Sequence, residues 1–513
     1  MRRQAVRGAG VTVLAQGAGF AVQTIATVVL ARLLAPADFG VVTMVTTFSV
    51  LIVSVGQIGF PEAVIQREEI NHGLASNLFW VNLITSALLT LAFAGAGSLL
   101  AKFYHDPVVK HVAWGASLTI VITGASVMHL ALLKRAMRFS GVSANDIIAR
   151  AVSVGVSILL AWAGWGYWAL VAGAIAQPVS TFVGAMFLCK WMPSFPRRVA
   201  GTGSMVWFAL SVCARWSVGY FTQNTDNLLV GWRFGPVSLG LYKKAYDLFV
   251  FSCSFLNIYP VVVSTLSRLT KNPVQYRRYF LTGLSILAFV GMGLGADFTI
   301  IGKDIVRLVL GARWAESGRI FSLFGPGIGL MLIYSTHGML HLSLGTTGRY
   351  FRWGLIEFGV TCGLFLLFLH WGPSGIAFAW TLSFWILTIP AFWYAGKPID
   401  FGIKPFLGAL WRYALASLLA GCACAAIIRE IPFLAAYPGA LGAAIRIFTI
   451  SLIFVVLYLG AVVLFHGGFE PLHQFAGILH EVAPWRKFIK SSSGDTAADE
   501  TSNTNAVLTE VRQ

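Results

Sequence analysis

Residues 31–40 read ARLLAPADFG and residues 231–240 read GWRFGPVSLG. Each closes a long apolar run, each places a Pro four residues before a Gly, and each opens another apolar run. Pro stops one helix and Gly lets the next one begin close by, so both stretches predict a tight helix–turn–helix corner. With the two sequences aligned at an offset of 200, Gly19 faces Gly219, Gln23 faces Gln223, Pro36 faces Pro236 and Gly40 faces Gly240. The matches fall on one helix face and on the turn, where backbone geometry limits the choice of residue. A chain that makes one corner twice, half its length apart, reads as a duplicated unit.

The runs around the corners set the fold class. The 513 residues are 57% hydrophobic and only 11% charged, against about 25% charged in an ordinary soluble domain. The apolar residues come in blocks of about 20 or more, long enough to cross the hydrocarbon core as helix. Stretches such as ILLAWAG and CGLFLLFLH do not alternate, which excludes the short alternating strands of a membrane barrel. The chain is therefore expected to be all-α and polytopic, with about fourteen spans at 10–34, 40–60, 74–101, 111–133, 141–164, 166–190, 204–232, 237–263, 279–301, 317–343, 348–370, 373–394, 406–428 and 440–465.

Two six-span units of like orientation predict a two-fold axis along the membrane normal and a cavity between lobes that opens by rocking. The expected organisation is an N-terminal lobe (1–190), a cytoplasmic linker (191–203), a C-terminal lobe (204–394) and two additional spans (395–465). An amphipathic helix on the interface (466–490) follows, carrying Leu472, Phe475, Ile478, Leu479 and Val482 on one face. The polar tail (491–513) is expected to be disordered. With the N-terminus inside, cytoplasmic segments hold 21 Lys and Arg against 12 on the opposite side, which favours both termini in the cytoplasm.

The net charge of +17 lies in short connections between spans, where basic residues set orientation; no nucleic-acid role is expected. All six cysteines fall in or beside apolar runs and read as small buried hydrophobes, with no disulfide or zinc framework. His337 and His341 have metal-ligand spacing but lack a third ligand, so they are expected to line a lumen or to be packed. No metal or other cofactor is expected.

Ionisable groups at bilayer depth are the candidate functional residues, because each costs about 2.5–3.5 kcal/mol unless it has a partner or a wet cavity. Arg215 lies eleven residues into its span, about 16 Å deep. It shares a polar stripe with Gly219, Thr222, Gln223, Asp226 and Asn227. The equivalent stripe of the first span, Thr12, Gln16, Gly19, Gln23 and Thr27, is uncharged. Asp146 and Arg150 are four apart and share a helix face: an internal ion pair and a cavity-facing Arg150 are both open readings. Lys243 and Lys244, with Asp247, open the eighth span, where snorkelling and substrate contact are alternatives. Asp146, Asp226 and Glu357 are candidates for ion coupling.

The stretches LARLLAPADFGVVTM, GFPEAVIQREEI, LFWVNL, GWGYWALV, TDNLLVGWRFGPVSLGLYKKAYDL and GPSGIAFAWTLSFWILTIPAFWYA, in this order and spacing over residues 5–465, resemble the polysaccharide flippases of the multidrug/oligosaccharidyl-lipid/polysaccharide (MOP) exporter superfamily. The likeness is to the Wzx-type branch that serves colanic acid and other bacterial exopolysaccharides. The resemblance implies two six-span lobes, a cationic cavity and two further spans. It also implies movement of an undecaprenyl-diphosphate-linked oligosaccharide from the cytoplasmic to the periplasmic leaflet of the inner membrane, coupled to an ion gradient. Lipid-linked substrate and membrane lipids would be its partners, with polysaccharide polymerase and export machinery alongside, and a monomer suffices. A drug or cation antiporter of the same superfamily is the alternative, although it would want unpaired intramembrane carboxylates where this chain's deepest charge is Arg215. No span-to-span connection is long or acidic enough for a membrane glycosyltransferase or polymerase, so no enzymatic activity is expected, and no segment reads as a channel filter.

Overall fold

The computed structural model of the protein describes residues 17, 19, 21–57, 71–195, 202–254, 266–270, 272–399, 401–430, 439–473, 475 and 477; the side chains of 55–57, 202–219 and 254 lie outside that description. Among the described residues the architecture is wholly helical. In chain order the helices are α1 (Ala21–Leu33), α2 (Pro36–Gln57), α3 (His72–Tyr104), α4 (Val108–Arg135), α5 (Phe139–Trp162) and α6 (Tyr167–Cys189). Residues 202–254 run as α7 (202–234) and α8 (236–254), parted at Gly235. Then come α9 (Pro273–Val309), α10 (Ala315–Ser335, continued by His337–Ser343), α11 (Thr347–Phe368), α12 (Gly372–Gly396), α13 (Ile403–Arg429) and α14 (Gly439–His466). Over its described residues each expected span overlaps one of these helices, α2 starting at Pro36, four residues before the expected span. Among the described residues ten segments are long and apolar enough to cross a membrane, one of them covering both α11 and α12. The protein is a multi-pass membrane protein.

The chain packs as two compact units, the first running to Gly240 and the second starting at Leu241. Contacts thus divide the chain after the second corner, whereas the repeat divides it before α7. The corners themselves are the physical reason. At the first, Pro36 occupies the first position of α2, where its missing N–H is harmless. The Asp38 carboxylate accepts a hydrogen bond from the Ala35 backbone N–H at 2.9 Å, capping the helix start. At the second, Gly235 makes the turn with φ of +77°, a conformation that suits glycine.

The two corners then meet. A Cβ on Gly40 would lie within 3.0 Å of the O, C and Cα of Pro236, and a Cβ on Gly240 would overlap the O and C of Pro36. The contact is reciprocal, as a local two-fold axis requires. It is reinforced by Tyr220, whose hydroxyl donates to the Thr47 carbonyl at 2.6 Å, and by Phe103 stacked on Trp232 at 6.3 Å. These contacts hold α7 against α2 and α3.

At the other end of α3, Trp191 is buried among Phe79, His72 and His129, and Trp80 donates its indole N–H to the Ser194 carbonyl at 2.8 Å. In the second unit α9 is the central strut. Its Gly291 and Gly295 sit against Gly329 and Gly325 of α10, an approach of backbones that small residues allow in a membrane. The opposite face of α9 receives α13 and α14. Beyond α14, Phe475 packs edge-on against Phe289 of α9 at 5.3 Å; the rest of the expected interfacial helix, and the tail from 491, lie outside the described residues.

Candidate functional site

Arg150 is the deep cation whose surroundings are best defined. It projects from α5 with its Nε 2.9 Å from the Asp146 carboxylate, one turn earlier on the same face. The pair is half-exposed, at 42% for the Arg150 side chain and 52% for Asp146. Its stem lies on Gly19: a Cβ there would be 3.6 Å from Arg150 Cδ and 3.8 Å from Nε. Gly19 therefore gives the guanidinium a bare stretch of backbone to rest on. Gln23, four residues on along the same face as Gly19, is exposed. The first unit thus sets the Arg150–Asp146 pair of α5 against the backbone at Gly19, with Gln23 one turn further along the helix of Gly19. Gln16, the next member of that stripe, lies outside the described residues.

The equivalent stripe on α7 divides into two kinds. Gln223 is exposed, like its counterpart Gln23. Asp226 is fully buried and Asn227 is 2% exposed. The Asn227 backbone N–H donates to Asp226 Oδ1 at 2.7 Å, and its side-chain amide reaches Asn224 Oδ1 at 3.4 Å. The backbone of Arg215 is helical; its side chain lies outside the described residues.

In the second unit Lys243 and Lys244 share one carboxylate. Asp247 is 2.8 Å from Lys243 Nζ and 3.8 Å from Lys244 Nζ, and Lys243 also lies 5.2 Å from the centre of the Tyr246 ring. Lys244 is buried and Lys243 is not. The Tyr334 hydroxyl accepts the Trp353 indole N–H at 2.9 Å, and Glu357 on α11 lies near it. His337 and His341 are buried beside it. The Nδ1 of His337 engages the Tyr334 carbonyl at 2.5 Å, and that of His341 the Thr346 hydroxyl at 2.9 Å. Among the described residues no three His, Cys, Asp or Glu side chains form a metal-binding group.

Two carboxylates went unremarked in the sequence. Asp304 of α9 pairs with Arg446 of α14 at 3.0 Å to Nε and 2.5 Å to Nη2. Asp297, two turns earlier, accepts the Ser451 hydroxyl at 2.9 Å. The signal was present: between Arg278 and Lys303, Asp297 is the one charged residue in an otherwise uncharged run, and an acid in such a place needs an explanation.

A family model described as "Polysaccharide biosynthesis protein" matches residues 29–319, more than half of the chain. Among curated proteins, the teichuronic acid biosynthesis protein TuaB of Bacillus subtilis is 23% identical over 58% of this chain and 62% of its own length. The lipopolysaccharide biosynthesis protein WzxC of Escherichia coli is 23% identical over 59% and 62%. The succinoglycan biosynthesis transport protein ExoT of Rhizobium meliloti is 20% identical over 70% and 73%. The chain thus spans less than two thirds of the length of the first two. Among solved structures, the lipid II flippase MurJ in an inward closed conformation superimposes over 90% of this chain and 99% of its own, with a TM-score of 0.71 at 15% identity. An inward-facing multidrug resistance MATE family transporter of the MOP superfamily covers 74% of this chain and 94% of its own, with a TM-score of 0.57 at 13% identity. The fold is that of these helical transporters.

Proposed function

Because the chain belongs to the polysaccharide biosynthesis protein family, we propose that it flips an undecaprenyl-diphosphate-linked oligosaccharide from the cytoplasmic to the periplasmic leaflet of the bacterial inner membrane, for exopolysaccharide or lipopolysaccharide export. Both termini are then cytoplasmic. A single chain carries out the cycle by alternating access of two six-span lobes, residues 1–190 and 204–394, and passes its cargo to a polymerase and export machinery.

The observation that carries this reading is the half-exposed guanidinium of Arg150 on the bare backbone of Gly19, one helical turn before the exposed Gln23. Arg presents a planar fork of donors that matches phosphate oxygens bidentately. Its attachment to Asp146 is an exposed ion pair of the kind worth at most about 1 kcal/mol, so a diphosphate with two or more charges displaces the carboxylate at small cost. Gln23 and Gln223 offer neutral amides to sugar hydroxyls. Arg215, at the depth expected for a cavity, is the second candidate for the diphosphate, with Lys243 and Lys244 further along. Asp146, released when Arg150 binds phosphate, joins Asp226 and Glu357 as a candidate for the coupling ion.

The test is accumulation of lipid-linked oligosaccharide in a deletion strain complemented by wild type, Arg150→Ala or Arg215→Ala. Cytoplasmic accumulation with loss of surface polysaccharide, reversed by wild type and not by Arg150→Ala at normal expression, is the expected result. Intact surface polysaccharide with altered drug or ion sensitivity would replace the flippase with an antiporter.

A further inference from the structure

Asp297 lies where three helices of the second unit meet, and none of them brings it a cation as near as its own oxygens need. From α14, Ser451 donates its hydroxyl to Oδ2. Oδ1 is buried, exposing less than 1 Å², and has no hydrogen-bond partner among the described residues. From α13, Cys424 is the titratable group facing it, its thiol 3.7 Å from the carbonyl of Ile450, the residue before Ser451. α10 packs on the opposite face of α9 through Gly325 and Gly329 and presents it no ionisable side chain there. The residue as a whole is 8% exposed. It sits about 9 Å along α9 from Lys303, inside the apolar stretch.

The contrast with Asp304 defines the chemistry. Both carboxylates lie on one face of α9, seven residues apart, and both look toward α14. Asp304 receives Arg446; Asp297 receives a hydroxyl. A carboxylate charge with an orphaned oxygen in an apolar seam is strongly disfavoured, and one proton removes it. A divalent cation does not suit the site, since it takes about six oxygens and Oδ1 has no open space beside it.

We propose that Asp297 is a proton-binding site in the seam of α9 with α13 and α14: the proton is held while the seam is packed and is released when the seam opens. Release leaves a charge on the face of α9 that already holds Asp304. Arg446, some five residues from Ser451 on α14, then has two carboxylates to serve, and α14 shifts against α9. The seam couples a proton to the seating of the two final helices, independently of which substrate the protein carries.

The experiment uses the purified full-length protein in lipid nanodiscs, compared with Asp297→Asn and Asp304→Asn, by infrared spectroscopy with isotope-labelled aspartate. A protonated-carboxyl band is expected in the wild type, weakening as the pH is raised. That Asp297 component is expected to be missing from Asp297→Asn over the same range and retained in Asp304→Asn. Over the same range the melting temperature of the wild type falls by several degrees, and that of Asp297→Asn stays flat, since its amide mimics the protonated acid in shape. Asp297→Glu, which keeps a titrating group, restores the slope should Asp297→Asn pack poorly. A band that survives Asp297→Asn, or one that does not change with pH, overturns the proposal. None of these readouts depends on transport, so failure here is separate from failure of the flippase reading.

Discussion

Adding one methyl group at either corner tests the reciprocal packing of the repeats. In Gly40→Ala the new Cβ falls within 3.0 Å of three backbone atoms of Pro236; in Gly240→Ala it overlaps two backbone atoms of Pro36 and stands 3.1 Å from the Gly40 nitrogen. Backbone cannot rotate away as a side-chain tip can, so the corners must separate. Overpacking of this kind costs about 1–3 kcal/mol, while Ala recovers about 0.5–1 kcal/mol of helix propensity over Gly. The clash wins, and each single variant is expected to be destabilised by about 1–2 kcal/mol. The two clashes occupy one gap, however. Once the first methyl has parted the corners the second finds room, so Gly40→Ala/Gly240→Ala should fall short of the sum of the singles by about 1 kcal/mol or more. Gly95→Ala on α3, where among the described residues nothing lies within 4 Å of the added carbon, is the control and should stabilise by up to about 1 kcal/mol. Denaturation of the purified protein in detergent gives all four values. Wild-type stability in either corner variant, or additivity within about 0.5 kcal/mol in the double variant, would refute the reciprocal contact.

Other substitutions separate structural charges from functional ones. Arg446→Ala leaves Asp304 without its partner in a pair whose side chains are only 17% and 18% exposed, and is expected to cost about 2–4 kcal/mol, below the fully buried limit; Arg446→Lys should recover part of this in the same denaturation assay. Asp146→Asn, in the half-exposed pair with Arg150, should cost less than about 1 kcal/mol, yet in complementation it should shift the pH or ion dependence of polysaccharide export if Asp146 serves the coupling ion. Tyr334→Phe removes the hydroxyl that accepts the Trp353 indole N–H and should cost about 1–3 kcal/mol through the buried donor left unpaired, read as a drop in melting temperature.

Much of this was legible in the sequence because the membrane permits few solutions. A run of about 20 apolar residues is a helix there, so the fourteen spans followed from composition and punctuation. Gly and Pro at fixed spacing marked both corners. Their partners could not be read. Gly40 against Pro236 joins residues nearly two hundred apart, and local periodicity carries no information about which face meets which. Gly19 was legible as part of a polar stripe; its service as a bed for Arg150 required the second helix. The histidines at 337 and 341, expected to line a lumen or to be packed, are both buried. Asp297 has no charged neighbour within one turn to mark it, and its partner Ser451 lies on a helix more than 150 residues away.

The repeat also shows how a membrane protein adds charge to a position that began without it. Leu30, Ala31, Phe39 and Gly40 are buried, and so are their counterparts Val230, Gly231, Leu239 and Gly240; Gln23 and Gln223 are both exposed. Against that shared frame the second copy places Asp226 where the first has Ala26, Lys243 where it has Thr43, Lys244 where it has Met44 and Asp247 where it has Thr47. A lone ion at such a site is expelled or neutralised. Three of the four new charges are i,i+3 or i,i+4 neighbours and satisfy one another through Asp247. Pairing within one helix makes a charged residue tolerable without help from any other span, so the helix can move as a body and keep its charges matched. Arg150 obeys the same rule through Asp146. A guanidinium held by a carboxylate of its own helix, half in water, is ready to exchange that partner for a phosphate; one locked to a neighbouring helix, as Arg446 is to Asp304, is committed to structure.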